Sequence, residues 1–111
     1  MSCRFRDDRN GARLSAGLVA YAFDLTTDRI LSGQRGSTDV SRARQIAMYL
    51  AHVGLGMSLA RVGIAFGRDR STVAHACHLV EEFRDDPEFD SWIEQLEQGL
   101  GVVAGLRELA V

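Results

Sequence analysis

The chain has 111 residues, which suits one domain with a single hydrophobic core and leaves no room for an additional ATPase module. It contains no lysine and therefore no Gly-x-x-x-x-Gly-Lys-Ser/Thr phosphate loop, so neither nucleotide binding nor ATP-driven work is expected. The formal net charge of −2 argues against a non-specific nucleic-acid binder, which is normally basic.

Targeting signals, cysteine pairs and metal-ligand spacings are not evident. No secretory signal and no 18-residue apolar run is found, so we expect a cytoplasmic protein that does not enter the membrane. Cys3 and Cys77 are far apart and are interpreted as free thiols. His75 and His78 would share a helix face with Cys77 pointing away, a poor geometry for one ion, so no metal and no cofactor are expected.

Charge is segregated along the chain. Residues 29 to 70 hold seven arginines and two acids, whereas residues 81 to 97 hold eight acids and one arginine. One end of the domain is therefore expected to be cationic and the other anionic. The alternative is an ordinary solvated surface with uneven charge.

The first elements follow from apolar spacing. Residues 1 to 10 are predicted to be a polar flexible arm. Apolar residues then recur every three or four positions, which predicts a helix from Arg13 to about Phe23. Asp28 is a candidate cap for a short second helix that Gly33 would end.

Residues 33 to 40 have no apolar periodicity and are predicted to form an exposed loop. Ser41 is the candidate cap of a third helix, in which Ile46 and Leu50 face inward. Arg42 and Arg44 lie mainly outside that apolar stripe.

The segment GRDRSTVAHAC, residues 67 to 77, predicts a helix-turn-helix. Ser58 starts the preceding helix and Gly67 is its left-handed stop. Asp69 is the candidate N-cap of the next helix, its carboxylate accepting from the amide of Ser71 or Thr72. At about 100° per residue, one side of that helix is buried and the opposite side is polar. The buried side comprises Val73, Cys77, Val80 and Arg84, with Ala76 beside it, and the polar side Ser71, His75, His78 and Glu82.

After Pro87, aromatic and aliphatic residues predict a closing helix that packs back onto the core. Residues 99 to 111 form an apolar tail with three glycines, so the tail needs a docking surface to be ordered. That surface is either the domain's own core, residues 11 to 98, or a second subunit in a homodimer.

The segment around Asp69 resembles the signature of the C-terminal DNA-binding domain of the bacterial replication initiator DnaA. In that family an Asp-His-Thr-Thr sequence opens the recognition helix, and a His-Ala pair follows one turn later. Here those positions are held by Asp69, Arg70, Ser71 and Thr72, and then by His75 and Ala76. The likeness runs from about residue 14 to residue 98 and includes the RARQIAMYLA segment at residues 42 to 51.

The resemblance implies an all-α, trp-repressor-like bundle of about five to six helices that binds double-stranded DNA. It implies phosphate contacts from Arg68, Arg42 and Arg44. It implies base contacts from Asp69, Ser71 and His75, and a thymine methyl contact from Thr72, which could instead be only a capping residue. His78 continues the same polar face.

Three departures from the family pattern predict a changed target sequence. The usual minor-groove arginine aligns with Gly36, which leaves Arg35 as a displaced candidate. The usual histidine is replaced by Arg70, a longer and permanently charged donor. Only Gly67 precedes the Arg-Asp pair, where the family generally has two glycines.

The sequence is compatible with three function classes. The leading one is a stand-alone, nucleoid-associated DNA-binding protein that regulates transcription or replication initiation. The second is a protein-interaction module that kept the fold, lost DNA binding and contacts a basic partner through residues 81 to 97. An enzyme is the weakest class, because no nucleophile–base pair or catalytic carboxylate spacing is found.

Overall fold

The computed structural model describes residues 8–32 and 36–110, and within them every regular element is a helix. The helices are α1 Asp8–Phe23, α2 Thr27–Leu31, α3 Thr38–Val53, α4 Leu59–Phe66, α5 Arg70–Phe83 and α6 Pro87–Ala110. The predicted all-α bundle with a helix-turn-helix is confirmed. Residues 1 to 7 of the predicted arm and Arg35 lie outside the described residues.

Helix α3 is the centre of the bundle. It packs against α1 on one side and α5 on another. Ile46, Ala47 and Leu50 are fully buried, and Tyr49 on the same helix is only 2% exposed. A helix that is buried nearly all round is typical of the middle of a core, so α3 fixes where the other helices can lie.

Three predicted helix starts are corrected. Helix α1 begins at Asp8, not at Arg13, and both carboxylate oxygens of Asp8 accept from the guanidinium of Arg61 on α4. The cap of α2 is Thr26, not Asp28, and its hydroxyl accepts from the Arg29 amide at 3.2 Å.

Helix α3 likewise begins earlier than predicted. Its cap is Ser37 instead of Ser41, with the Ser37 hydroxyl accepting from the Val40 amide at 3.3 Å. The predicted loop over residues 33 to 40 therefore overlaps the first turn of α3. Ser37, one turn upstream of Ser41, is the cap because a helix that begins there includes Val40, which is buried.

An aromatic corner joins α6 to the bundle, as predicted from the sequence. Phe89 stacks edge-on against Phe83 at 5.9 Å between ring centroids and lies 5.8 Å from Trp92. Trp92 in turn meets Phe23 at the end of α1, at 5.7 Å. These contacts anchor the first two turns of α6.

Helix α6 runs without a break through the predicted tail boundary. Leu100 and Ala104 are buried, and Leu100 lies against Gly54, where an added Cβ would come within 2.9 Å of its methyl. Val102, Val103, Leu106 and Leu109 stay exposed on the same helix, and we call them the α6 stripe. The tail is thus docked on the core along one side only. None of the helices in the described ranges is long and apolar enough to cross a membrane.

A polar network holds the C-terminal end of α5. Arg84, predicted on the buried side, is half-buried and donates to Asp90 at 2.5 Å, to the Tyr49 hydroxyl at 2.9 Å and to Glu97 at 3.3 Å. The Tyr49 hydroxyl donates to Glu81. Burial, with the bond to Glu81, raises the pKa of Tyr49 to about 12, so the tyrosine is neutral at physiological pH. The network ties α3, α5 and α6 together.

Candidate nucleic-acid interface

The turn between α4 and α5 has the geometry that the sequence predicted. Ser58 caps α4 by accepting from the Arg61 amide at 3.2 Å. Gly67 follows α4 with φ +67° and ψ 38°, the left-handed conformation that glycine adopts without strain. Asp69 then precedes α5 in an extended conformation. The two helices are therefore joined by three residues, as in a helix-turn-helix.

Gly63 is a second glycine on which this turn depends, and sequence reasoning missed it. A Cβ at Gly63 would lie 2.7 Å from the Arg68 carbonyl oxygen and 3.5 Å from the Arg70 nitrogen. The Arg68 amide donates to the Gly63 carbonyl at 2.8 Å. The backbone of the turn thus rests directly on α4 at this position, and only the missing side chain allows it. A glycine in an otherwise apolar helix was the available signal.

Asp69 occupies the predicted cap position but its side chain makes no capping hydrogen bond. The expected acceptance from Ser71 or Thr72 is therefore wrong for this structure. The contact of Asp69 with the helix is made by its backbone carbonyl, which accepts a hydrogen bond from the Val73 amide at 3.1 Å. The carboxylate is exposed at the N-terminal end of α5, where it can accept from an outside donor.

Helix α5 presents an exposed polar row on the side opposite the core. Val73, Ala76 and Val80 are buried as predicted, while Cys77 is half-buried. The exposed row consists of Arg70, Ser71, Thr72, His75 and His78. His78 Nε2 lies 3.4 Å from Glu82 Oε2, both well exposed. The row places donors on the first two turns of a helix that follows a tight turn, and His78 adds one on the third turn.

The two candidate arginines of α3 have different surroundings. Arg42 is exposed, with its guanidinium carbon 4.5 Å from the centre of the Phe83 ring. Arg44 was predicted outside the buried stripe, and this is wrong, since it is 6% exposed. Its Nε donates to the Ile30 carbonyl at 2.8 Å and its Nη2 to the Arg29 carbonyl at 3.2 Å. Arg44 is drawn inward by backbone acceptors near the end of α2.

Arg68 folds back over the turn in a similar way. Its Nη1 donates to the carbonyls of Phe66 and Gly67 at 3.2 and 3.3 Å, and its Nη2 to the Ser32 carbonyl at 3.1 Å. Burial, and secondarily the positive charge of Arg68, lowers the pKa of Arg44. The two guanidinium groups are therefore close enough to repel each other.

A cleft of about 150 Å³ opens between α3 and α5. It brings together residues that the sequence placed in separate motifs. Its lining residues are Ser41, Arg44, Gln45, Met48, Arg68, Thr72, His75 and Ala76. Two arginines and several neutral donors around one opening suit an anionic ligand. In the described part of the chain, no group of three or more His, Cys, Asp and Glu side chains could hold a metal ion.

Comparison with known proteins gives consistent matches. A profile of the family described as "Bacterial dnaA protein helix-turn-helix" matches residues 16–80. A chromosomal replication initiator protein DnaA from Synechococcus sp. (strain JA-2-3B'a(2-13)) is 34% identical over 98 residues, which are 86% of this chain and 21% of that protein. Its counterpart from Bifidobacterium animalis subsp. lactis (strain AD011) is 41% identical over 80 residues, 70% of this chain and 14% of that protein.

A solved structure agrees with these matches. The crystal structure of a DNA replication initiation factor superposes with a TM-score of 0.78 at 32% identity, covering 87% of this chain and 30% of the other. The resemblance found at residues 67 to 77 is thus confirmed over most of the chain. The chain spans no more than 30% of the length of any of these three proteins.

Proposed function

Since the chain belongs to the bacterial DnaA helix-turn-helix family, we propose that it binds a specific double-stranded DNA sequence through the exposed polar row of α5. The observation that carries this proposal is the position of that row beside the arginine-lined cleft between α3 and α5. A recognition helix needs both, because base edges give specificity and phosphate contacts give orientation. The biological role we propose is regulation of transcription or of replication initiation.

Each side chain of the row suits a particular part of the DNA. Ser71 and His75, one turn apart on the exposed side, are proposed to hydrogen-bond base edges in the major groove. The methyl group of Thr72 suits a thymine methyl, and the free carboxylate of Asp69 suits a cytosine amine. Arg70, exposed at the start of α5, is proposed to contact phosphate or guanine.

The outer positions complete the proposed interface. Arg42 is held at the surface by the Phe83 ring, a pre-arranged position for a phosphate contact. His78 would extend the reading face by one turn, although its exposed pair with Glu82 competes for the imidazole. Arg35 keeps its proposed minor-groove role from the sequence alone.

The target sequence is proposed to differ from the standard initiator box. Arg70 stands where the family has histidine, and Gly36 stands where it has the minor-groove arginine. Both changes alter groups that face DNA in the family, while the fold is kept. Equal or tighter binding to a standard box than to the best selected sequence would contradict this point.

The acidic segment supports a structural role better than a second binding function. Glu81 accepts from Tyr49, while Asp90 and Glu97 accept from Arg84. These acids are engaged inside the domain, so fewer remain for a basic partner. For this reason no protein-interaction function is proposed through residues 81 to 97.

In-vitro selection from random duplexes, followed by fluorescence anisotropy, tests the proposal. We expect an enriched motif, and we expect His75→Ala to weaken binding to that motif by roughly 10-fold or more, as loss of a base contact does. Binding to a shuffled duplex should change little. Gln95→Ala, an exposed change on α6, is the matched control and should leave both affinities unaltered. Absence of any enriched motif, or a His75→Ala variant that binds as the parent does, would refute the proposal.

A further inference from the structure

Two arginines from different elements hold the C-terminal end of α2. Arg44 of α3 donates to the Arg29 and Ile30 carbonyls, and Arg68 of the turn donates to the Ser32 carbonyl. Arg68 also donates to the carbonyls of Phe66 and Gly67. Two guanidinium groups therefore donate hydrogen bonds to five backbone carbonyl oxygens near the ends of α2 and α4.

Helix chemistry explains this arrangement. The last carbonyls of a helix have no partner within it and carry the negative end of the helix dipole, which favours a cationic donor. Helix α2 has only five residues, far too few to be stable by itself. Its place in the fold thus depends on bonds from outside, and the Arg44 and Arg68 guanidinium groups supply three of them.

The position of Arg68 extends this dependence to the recognition helix. Arg68 lies two residues before the first residue of α5, and its amide is bound to Gly63 of α4. Its guanidinium joins the same turn to α2, which Arg44 joins to α3. The start of α5 is therefore connected through α2 to the central helix of the bundle.

We propose that Arg68 is a positioning residue that locks the turn of the helix-turn-helix to the end of α2, and so fixes the presentation of the first turn of α5. This goes beyond a phosphate contact, the role that the family resemblance implies. The consequence for DNA rests on the proposed function, whereas the lock itself is a property of the free protein. Sequence preference should depend on Arg68 even where its charge is kept.

Arg68→Lys and Arg68→Gln separate the two roles. Lysine keeps the positive charge but lacks the planar fork that reaches three carbonyls at once. If Arg68 only contacted phosphate, Arg68→Lys would keep most of the DNA affinity. Arg68→Gln would then weaken binding equally on all sequences and lower the slope of log affinity against log salt concentration by about one unit. If Arg68 is a positioning residue, Arg68→Lys should lose sequence preference as Arg68→Gln does. Arg13→Gln, an exposed charge change on α1, is the control for net charge.

The first measurement uses the free protein and needs no DNA. Hydrogen exchange followed by NMR should show the amides of residues 29 to 31, in the last turn of α2, exchanging at least 10-fold faster in both Arg68 variants than in the parent. Arg13→Gln should leave them unchanged. Unaltered exchange in the Arg68 variants would overturn the lock.

The second measurement compares the affinity for the selected duplex with that for a shuffled duplex. We expect this ratio to fall about 10-fold in both Arg68→Lys and Arg68→Gln. The role of Arg68 in specificity would be overturned if Arg68→Lys kept the affinity ratio of the parent. It would also be overturned if the ratio were unchanged in both variants while the α2 amides exchanged faster. If the parent protein enriches no sequence, the proposed DNA function fails, and the exchange measurement still decides whether Arg68 locks the turn.

Discussion

Arg42 and Arg44 show how two neighbouring residues of one type acquire different roles. They are separated by about 200° around α3, so they lie on nearly opposite faces of the helix. The sequence shows this separation but not which arginine turns inward. The deciding partners are the carbonyls of Ile30 and Arg29, which lie 14 and 15 residues away along the chain. Such long-range acceptors leave no local pattern, which is why Arg44 was predicted at the surface.

Cys77 is expected to be an unreactive thiol. Burial, and secondarily the charge of Glu81, raises its pKa from 9.0 to about 11. Reaction with iodoacetamide requires the thiolate, so at neutral pH the rate should be roughly 100-fold below that of a free peptide thiol. The measurement uses a Cys3→Ser background and mass spectrometry. Adding urea should restore the fast rate, and a fast rate in the folded protein would show that the thiol is not protected.

Helix ends show what the sequence can and cannot predict at the scale of elements. Ser58 and Gly67 were located correctly, because each is the only residue of its kind within the local turn. The predicted cap of α2 was wrong by two residues and that of α3 by one turn, since Thr26 competes with Asp28 and Ser37 with Ser41. Helix order and the polar face of α5 followed from apolar spacing. The cleft did not, because it joins residues from three separate segments.

The glycines of α4 and α6 should respond in opposite ways to alanine. At Gly63 an added Cβ would meet the Arg68 carbonyl at 2.7 Å, so Gly63→Ala must displace the turn and should destabilise the fold by about 1–3 kcal/mol. At Gly101 no atom lies within 4 Å of an added Cβ, and alanine should stabilise the helix by about 1 kcal/mol. Urea unfolding followed by circular dichroism measures both. Midpoints that move in the same direction would contradict this account of the turn.

At the scale of the molecule, charge segregation has a structural use that net charge conceals. Acids of the C-terminal part surround Arg84 and fasten α6 to α3 and α5. Arginines of the other part gather at the cleft and the turn, where burial, and secondarily the positive charge of Arg68, lowers the pKa of Arg44. The net charge of −2 is therefore compatible with a cationic binding face. The position of that face is set by helices that the acidic end holds in place.

A second copy of the chain is the partner we propose for the α6 stripe, in which Val102, Leu106 and Leu109 recur at spacings of four and three residues, as helix-pairing faces do. Val102, Val103, Leu106 and Leu109 are 65%, 41%, 59% and 84% exposed, and a two-fold axis would pair the same stripe from both copies. Four side chains provide only part of the about 1,600 Å² that stable complexes bury, so the dimer should be weak in solution and favoured when two copies occupy neighbouring DNA sites.

Leu106→Gln removes apolar contact without touching Leu100 or Ala104, which belong to the core. In sedimentation equilibrium we expect the mass of the parent protein to rise toward that of a dimer with concentration, and the Leu106→Gln variant to stay monomeric. A parent protein that is monomeric both alone and on a duplex with two sites would rule out the dimer.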